Sequence, residues 1–188
     1  LMNNLPINGV PKNLKSTVFP FEYNNFEQLS KIVKMHKIGV IKMEVKRISE
    51  PKNNFLQKIR KLATENSIVL IFDECTSGFR QTFGGMHKFY NVEPDLAIFG
   101  KALGNGYAIN SVIGRRSVME HANQSFISST FWTERVGPSA ALETLKIMEK
   151  IKSWDEITMI GKSIKKQLNY IASLHKLDIQ IEGIDAIP

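Results

Sequence analysis

The stretch Ile68-Val69-Leu70-Ile71-Phe72-Asp73-Glu74, IVLIFDE, sets five apolar residues in a row and then two carboxylates. A short apolar run bounded by polar residues reads as a strand buried on both faces, as in a parallel sheet. The carboxyl ends of such strands line the crevice in which ligands bind. An acid emerging there is poorly solvated unless a cation or a metal meets it. Two chemistries fit: a P-loop ATPase whose Asp-Glu end holds magnesium and a catalytic water, or a cofactor enzyme in which one carboxylate pairs with a protonated heterocycle.

On either side of this run the pattern alternates between helix and strand. Residues 1–24 are rich in Asn, Pro and Lys, with a turn at Asn8-Gly9-Val10-Pro11 and a candidate strand over 16–19. Asn25 is placed to cap a helix over 26–37 whose apolar face is Phe26, Leu29, Ile32 and Val33. Residues 39–44 read as a strand, and 52–66 as a helix with Phe55, Leu56, Ile59 and Leu62 inward. Beyond a Gly-rich segment, 78–85, residues 94–101 (PDLAIFGK) form a second short apolar strand that ends in Gly100-Lys101. Residues 108–113 are a further hydrophobic stretch, and 126–132 are another strand candidate. From Pro138 the period becomes helical through Ala141, Leu142, Leu145 and Met148; a second helix over 155–175 follows a break near Ser153-Trp154, and 177–181 alternate like a half-buried strand. Strands separated by helices predict an α/β fold with a mainly parallel sheet and flanking helices.

With 188 residues, 43% of them hydrophobic, the chain has length for one domain and part of a second. No apolar run approaches the ~20 residues of a membrane span, and the start lacks a basic-then-apolar leader. The single cysteine, Cys75, excludes an intrachain disulfide and favours a reducing compartment, so a cytoplasmic location is expected. The net charge of +7 is uneven: residues 1–70 hold 12 Lys/Arg against 5 Asp/Glu, and residues 71–188 hold 13 against 13. That excess has no interleaved aromatics or binding motif, so it reads as solvated basic faces and not as a nucleic-acid site.

The ATPase chemistry needs a Gly-rich phosphate loop, G-x-x-x-x-G-K-[ST]. The one Gly-Lys-Ser, at Gly161-Lys162-Ser163, has Glu156 where the first glycine belongs and lies within a helical pattern. A dinucleotide fingerprint fails likewise, since Gly104-Asn105-Gly106 is followed by Ile109 at the third glycine position. No Cys/His spacing suits a metal.

Two strand ends remain, one carrying Asp73 and the other Lys101. A lysine at a strand end beside glycines 100, 104 and 106 is expected to be partly desolvated, which makes a neutral amine available as a nucleophile. Pyridoxal 5'-phosphate needs such an amine for its Schiff base, and a carboxylate at its pyridine nitrogen to keep the ring protonated.

IFDECTSGFR, VEPDLAIFGKALGNGYAINSVIG and STFWTERVGPSAALETLKIME, in that order, resemble the class III pyridoxal-phosphate aminotransferases, in the branch around glutamate-1-semialdehyde aminomutase. The Asp73-to-Lys101 interval of 28 residues and the Lys101-to-Thr133 interval of 32 match that family's spacing. The resemblance covers nearly the whole chain. It implies part of the large domain of the fold-type I transferases over residues 1–152 and the start of a C-terminal small domain over 153–188. It also implies pyridoxal 5'-phosphate as cofactor, Lys101 as the Schiff-base and proton-shuttling lysine, and Asp73 as partner of the pyridine nitrogen. Cys75 then packs on a ring face where the family usually has Val. Thr133 reaches the phosphate of a neighbouring subunit's cofactor, which implies a homodimer; Thr130 is its rival if the loop aligns differently.

The implied activity is transfer of an amino group between a small-molecule amino donor and a carbonyl acceptor, with no nucleic-acid or membrane partner. The alternatives are a 2,1-aminomutase reaction and a non-catalytic remnant of the fold. Phe131-Trp132-Thr133-Glu134 departs from the aminomutase pattern and favours transamination. The family's upstream phosphate-gripping turn and its complete C-terminal domain have no counterpart here, so the chain is expected to be the central segment of a larger enzyme with weakened cofactor affinity. Arg80 is expected to make a structural ion pair ahead of a substrate contact. The histidines at 36, 87, 121 and 175 are expected at the surface or its boundary. Glu44 and Glu74 acquire no role.

Overall fold

The computed structural model describes residues 9–14, 16–128, 130–131 and 133–188. Its centre is a four-stranded sheet in the order β1-β2-β3-β4, formed by Val40–Glu44, Val69–Asp73, Leu96–Phe99 and Ser111–Gly114. The first three strands run parallel, with Glu44 opposite Asp73 and Asp73 opposite Ile98; β4 returns antiparallel, with Ser111 opposite Phe99. Parallel neighbours bring the carboxyl ends of β1, β2 and β3 to one edge of the sheet. The predicted α/β class with a mainly parallel sheet is the fold observed.

Helix α1 (Phe26–Met35) begins where Asn25 accepts a hydrogen bond from the Gln28 amide at 3.0 Å, as its capping side chain predicts. Helix α2 (Phe55–Glu65) crosses between β1 and β2 and buries Phe55, Leu56, Ile59 and Ala63. These side chains meet Ile41 and Met43 of β1 and Leu70 and Phe72 of β2 in the main core. A smaller cluster joins Ala97 and Phe99 of β3 to Leu103 and to Ala141 of the helix α4 (Val136–Ile151). A short helix α3 (Arg116–Met119) follows β4. At Lys152 the backbone is left-handed (φ 52°), which ends α4 and starts α5 (Ser153–Leu174), so the break falls just before the predicted Ser153-Trp154.

Strand β2 is not buried on both faces. Leu70 and Phe72 are inaccessible, whereas Val69, Ile71 and Asp73 are only half-buried. Among the described residues, the core helices cover the Leu70/Phe72 face, and that accounts for the alternation. Among the described residues, three predicted strands are absent as well. Residues 16–19 are irregular, with Ser16 left-handed and Val18 exposed. Phe126 is 97% exposed in an irregular stretch, and two positions of the 126–132 candidate, 129 and 132, lie outside the described residues. Residues 177–181 also carry no strand. Alternation alone does not make a strand, because the backbone groups need a neighbour to bond with. None of these segments has a ladder partner among the described residues.

The chain's end folds back on the main core. Ile184 is buried within that cluster, the Gly183 amide donates to the Ile48 carbonyl at 3.1 Å, and Lys165 reaches the Asp185 carboxylate at 3.2 Å. Gly161 of α5 makes room for this return, since a β-carbon there would overlap the Asp185 carbonyl oxygen.

Candidate active site

Asp73 is the last residue of β2, and Lys101 lies just past the end of the adjacent parallel strand β3. Asp73 Oδ1 accepts the Cys75 amide at 3.1 Å, the short side-chain turn that Asp forms two residues on. Its Oδ2 lies 3.0 Å from Lys42 Nζ. Lys42 stands on the same sheet face one diagonal step away, because Lys42 pairs with Ile71 and Glu44 with Asp73. Burial acts to raise the Asp73 pKa, but the Lys42 hydrogen bond, the Cys75 amide and the charges of Lys42 and Lys101 outweigh it and hold it below the usual carboxylate value.

Lys101 has a left-handed backbone (φ 46°), a conformation that costs a side-chain-bearing residue energy. Its side chain is exposed, not desolvated as expected, and is oriented by donation from Nζ to Thr76 Oγ1 at 2.8 Å, with Cys75 Sγ 3.8 Å away. Gly100 permits this approach: a β-carbon there would press on Asn110 and lie 2.9 Å from Cys75 Sγ. The structure thus brings Asp73, Cys75 and Lys101 together at one sheet edge. Thr133 is exposed in the turn before α4 and makes no side-chain hydrogen bond among the described residues. Thr130, its rival, is exposed too.

Sequence reasoning overlooked several participants. Glu74 is fully buried; Oε1 accepts both the amide and Nδ1 of His87 at 2.9 Å, and Oε2 accepts the Ser77 hydroxyl. Burial would raise its pKa, yet His87, Ser77 and the 86–87 amides together hold it low. His87 is therefore a core residue, which corrects the surface expectation: the 85–88 turn wraps over the carboxylate and takes the ring inside. Arg80 forms no ion pair among the described residues, and its Nε is buried without a partner, contrary to the structural pair expected. Lys42 and Thr76 were also missed. Their roles depend on strand register and on the path of the 74–78 turn, which no local motif encodes. Among the described residues, no group of three His, Cys, Asp or Glu side chains is placed to hold a metal, and no helix is long and apolar enough to cross a membrane.

An amine and a carboxylate at neighbouring strand ends, joined by a turn carrying Cys75 and Thr76, form a donor set for a small cofactor that needs both. Residues 48–184 match the family described as Aminotransferase class-III. The chain belongs to the class-III aminotransferases. Among these, 3-aminobutyryl-CoA aminotransferase of Cloacimonas acidaminovorans (strain Evry) is 32% identical over 96% of this chain and 46% of its own length. Glutamate-1-semialdehyde 2,1-aminomutase of Hyperthermus butylicus is 28% identical over 95% of this chain and 44% of its own. The solved structure of the FumI protein of Sphingopyxis sp. MTA144, in its PLP internal aldimine form, superposes with a TM-score of 0.83 at 26% identity. That match covers 87% of this chain and 41% of the other. This class-III aminotransferase chain therefore spans a little under half the length of the relatives it matches.

Proposed function

We propose that the protein containing this chain is a pyridoxal-phosphate-dependent transaminase and that Lys101 and Asp73 are its central cofactor residues. The observation that carries this reading is the Lys101 amine and the Asp73 carboxylate at the ends of adjacent parallel strands in a class-III aminotransferase chain. Bound pyridoxal phosphate supplies a protonated ring that withdraws electrons from the carbon bearing the amino group. Lys101, its Nζ aimed by Thr76, would hold the cofactor and would supply the amine that moves the proton. Asp73 keeps the ring nitrogen protonated, for which its low pKa suits it. Cys75, beside the Lys101 amine, would pack against the ring.

Thr133 completes the reading from a second subunit: it belongs to an exposed turn, free to reach a neighbour's phosphate in a homodimer. The division into a partial large domain, 1–152, and the start of a small domain, 153–188, coincides with the left-handed Lys152. The unpaired Cys75 thiol at the site supports a cytoplasmic setting. An aminomutase reaction is the second reading, favoured by the 28%-identical relative of that name, and analysis of products separates the two.

The test is borohydride reduction with added pyridoxal phosphate, followed by peptide mapping. A stable adduct on Lys101, lost in Lys101→Ala with an unchanged circular dichroism spectrum, is the expected outcome. An adduct retained by that variant would remove Lys101 from the chemistry.

A further inference from the structure

On the sheet face turned away from the core helices, β1 presents Val40, Lys42 and Glu44, and β2 presents Val69, Ile71 and Asp73. Central positions of parallel strands are normally apolar, and Val40 on the same strand and Ile71 across from Lys42 keep to that pattern. Lys42 breaks it, and its Nζ lies 3.0 Å from Asp73 Oδ2. Glu44, the other acid of this face, is turned to Arg47 at 3.4 Å, so among the described residues Lys42 pairs with Asp73 alone. An ionised carboxylate has about four acceptor sites. Oδ1 of Asp73 has taken the Cys75 amide and Oδ2 the Lys42 ammonium, which leaves acceptor sites for one more donor. The Asp73 side chain is 24% exposed, so that donor can reach it. The cations whose charge reaches Asp73 come from two elements, Lys42 from β1 and Lys101 from beyond β3; the Cys75 thiol stands between Asp73 and Lys101 in the 74–78 turn.

We infer that Lys42 is a positioning residue of the cofactor site, sharing the Asp73 carboxylate with the ring nitrogen of pyridoxal phosphate and loosening that nitrogen's hold on its proton. The inference rests on the transaminase reading. Held at Oδ1 by the Cys75 amide and at Oδ2 by Lys42, the carboxylate is fixed in orientation before any ring meets it. A second cation on the same acceptor opposes a protonated ring nitrogen there, because like charges disfavour one another's charged form. Asp73 alone would keep the ring nitrogen protonated to higher pH; Asp73 with Lys42 lets the proton go sooner. Lys42 touches the acid and not the reacting carbon, so it acts through Asp73.

The test uses the protein containing this chain, with pyridoxal phosphate isotopically labelled at the ring nitrogen and fixed on Lys101 by borohydride. The nitrogen NMR shift, followed across pH, reads the protonation of the ring without turnover. In Lys42→Met the midpoint of that titration should rise by about half a pH unit, the reach of a pair with a half-exposed cation. Lys42→Arg, which restores the charge, should return it to the wild-type value. High salt should move the wild-type midpoint toward that of Lys42→Met and leave the variant's where it is, because the pair is open to screening. A purely structural Lys42 would change resistance to denaturant and leave the nitrogen midpoint still. An unmoved midpoint in Lys42→Met carrying the adduct, or a rise in Lys42→Arg equal to that in Lys42→Met, would overturn the inference and leave the transaminase reading standing. No adduct on Lys101 in the wild-type protein would overturn that reading, and the inference with it.

Discussion

Asp73 stands at the end of β2 with one oxygen on the Cys75 amide and the other on the Lys42 ammonium. Its depressed pKa gives it the sign of a stabilising carboxylate. The contribution is present above the unfolded-state value and is lost as pH falls through the lower folded value. Lys42 is more than half exposed, so its pair with Asp73 is worth under about 1 kcal/mol at neutral pH. Lys42→Met should leave burial opposed mainly by the Cys75 amide and move the Asp73 titration upward, as followed by carboxyl NMR shifts across an acid titration. An unmoved midpoint would show that Lys42 is not what holds Asp73 low. Neither effect could be read from the linear sequence, because Lys42 and Asp73 are 31 residues apart and meet through the β1/β2 register. The Asp73–Lys101 constellation was legible, because strand-end position and spacing are properties of the sequence itself.

At the scale of elements, the 74–78 turn is fastened from below by Glu74, whose carboxylate takes two bonds from His87 and one from Ser77. The turn carries Cys75 and Thr76, so what fastens it also sets the approach to Lys101. Glu74→Gln replaces an ionised acceptor with an amide and should cost about 1–3 kcal/mol, as measured by chemical denaturation at neutral pH. Glu74 has a lowered folded-state pKa, so its stabilisation disappears as the pH falls through that value, and the gap between wild type and variant should narrow in acid. A gap constant into strong acid would mean that the carboxylate's charge contributes nothing. Helices α1 and α2 and the three parallel strands were legible because caps, apolar faces and buried runs are local signals. The false strands at 16–19 and 177–181 copied the alternation without the partner. His87 gave no warning, since a single histidine in a Gly-Gly-Met-His-Lys turn has no periodicity to mark it as internal.

Across the whole molecule, the last residues close against the first strand's exit. Ile184 shares the core with Val45, Gly183 bonds to Ile48, and Gly161 of α5 leaves room for the Asp185 carbonyl. Gly161→Ala favours the isolated helix by about 1 kcal/mol, yet its methyl group would occupy the place of the Asp185 carbonyl. The variant should keep its helical circular dichroism and release residues 183–187, read as faster hydrogen exchange at the Gly183 amide and earlier proteolysis after α5. Retained protection would mean that the tail shifts without detaching. The net charge of +7 bears on solubility and on non-specific association more than on this closure.

If Lys101 carries the proposed chemistry, its left-handed backbone sets the needs of that chemistry against those of folding. Glycine is the residue that adopts this conformation without penalty, but it carries no amine. Lys101→Gly should therefore unfold at higher denaturant than Lys101→Ala, by about 0.5–1 kcal/mol, although both lack the nucleophile. The chain keeps a strained backbone at the position proposed to carry the reactive amine. Selection for stability alone would favour glycine at this position.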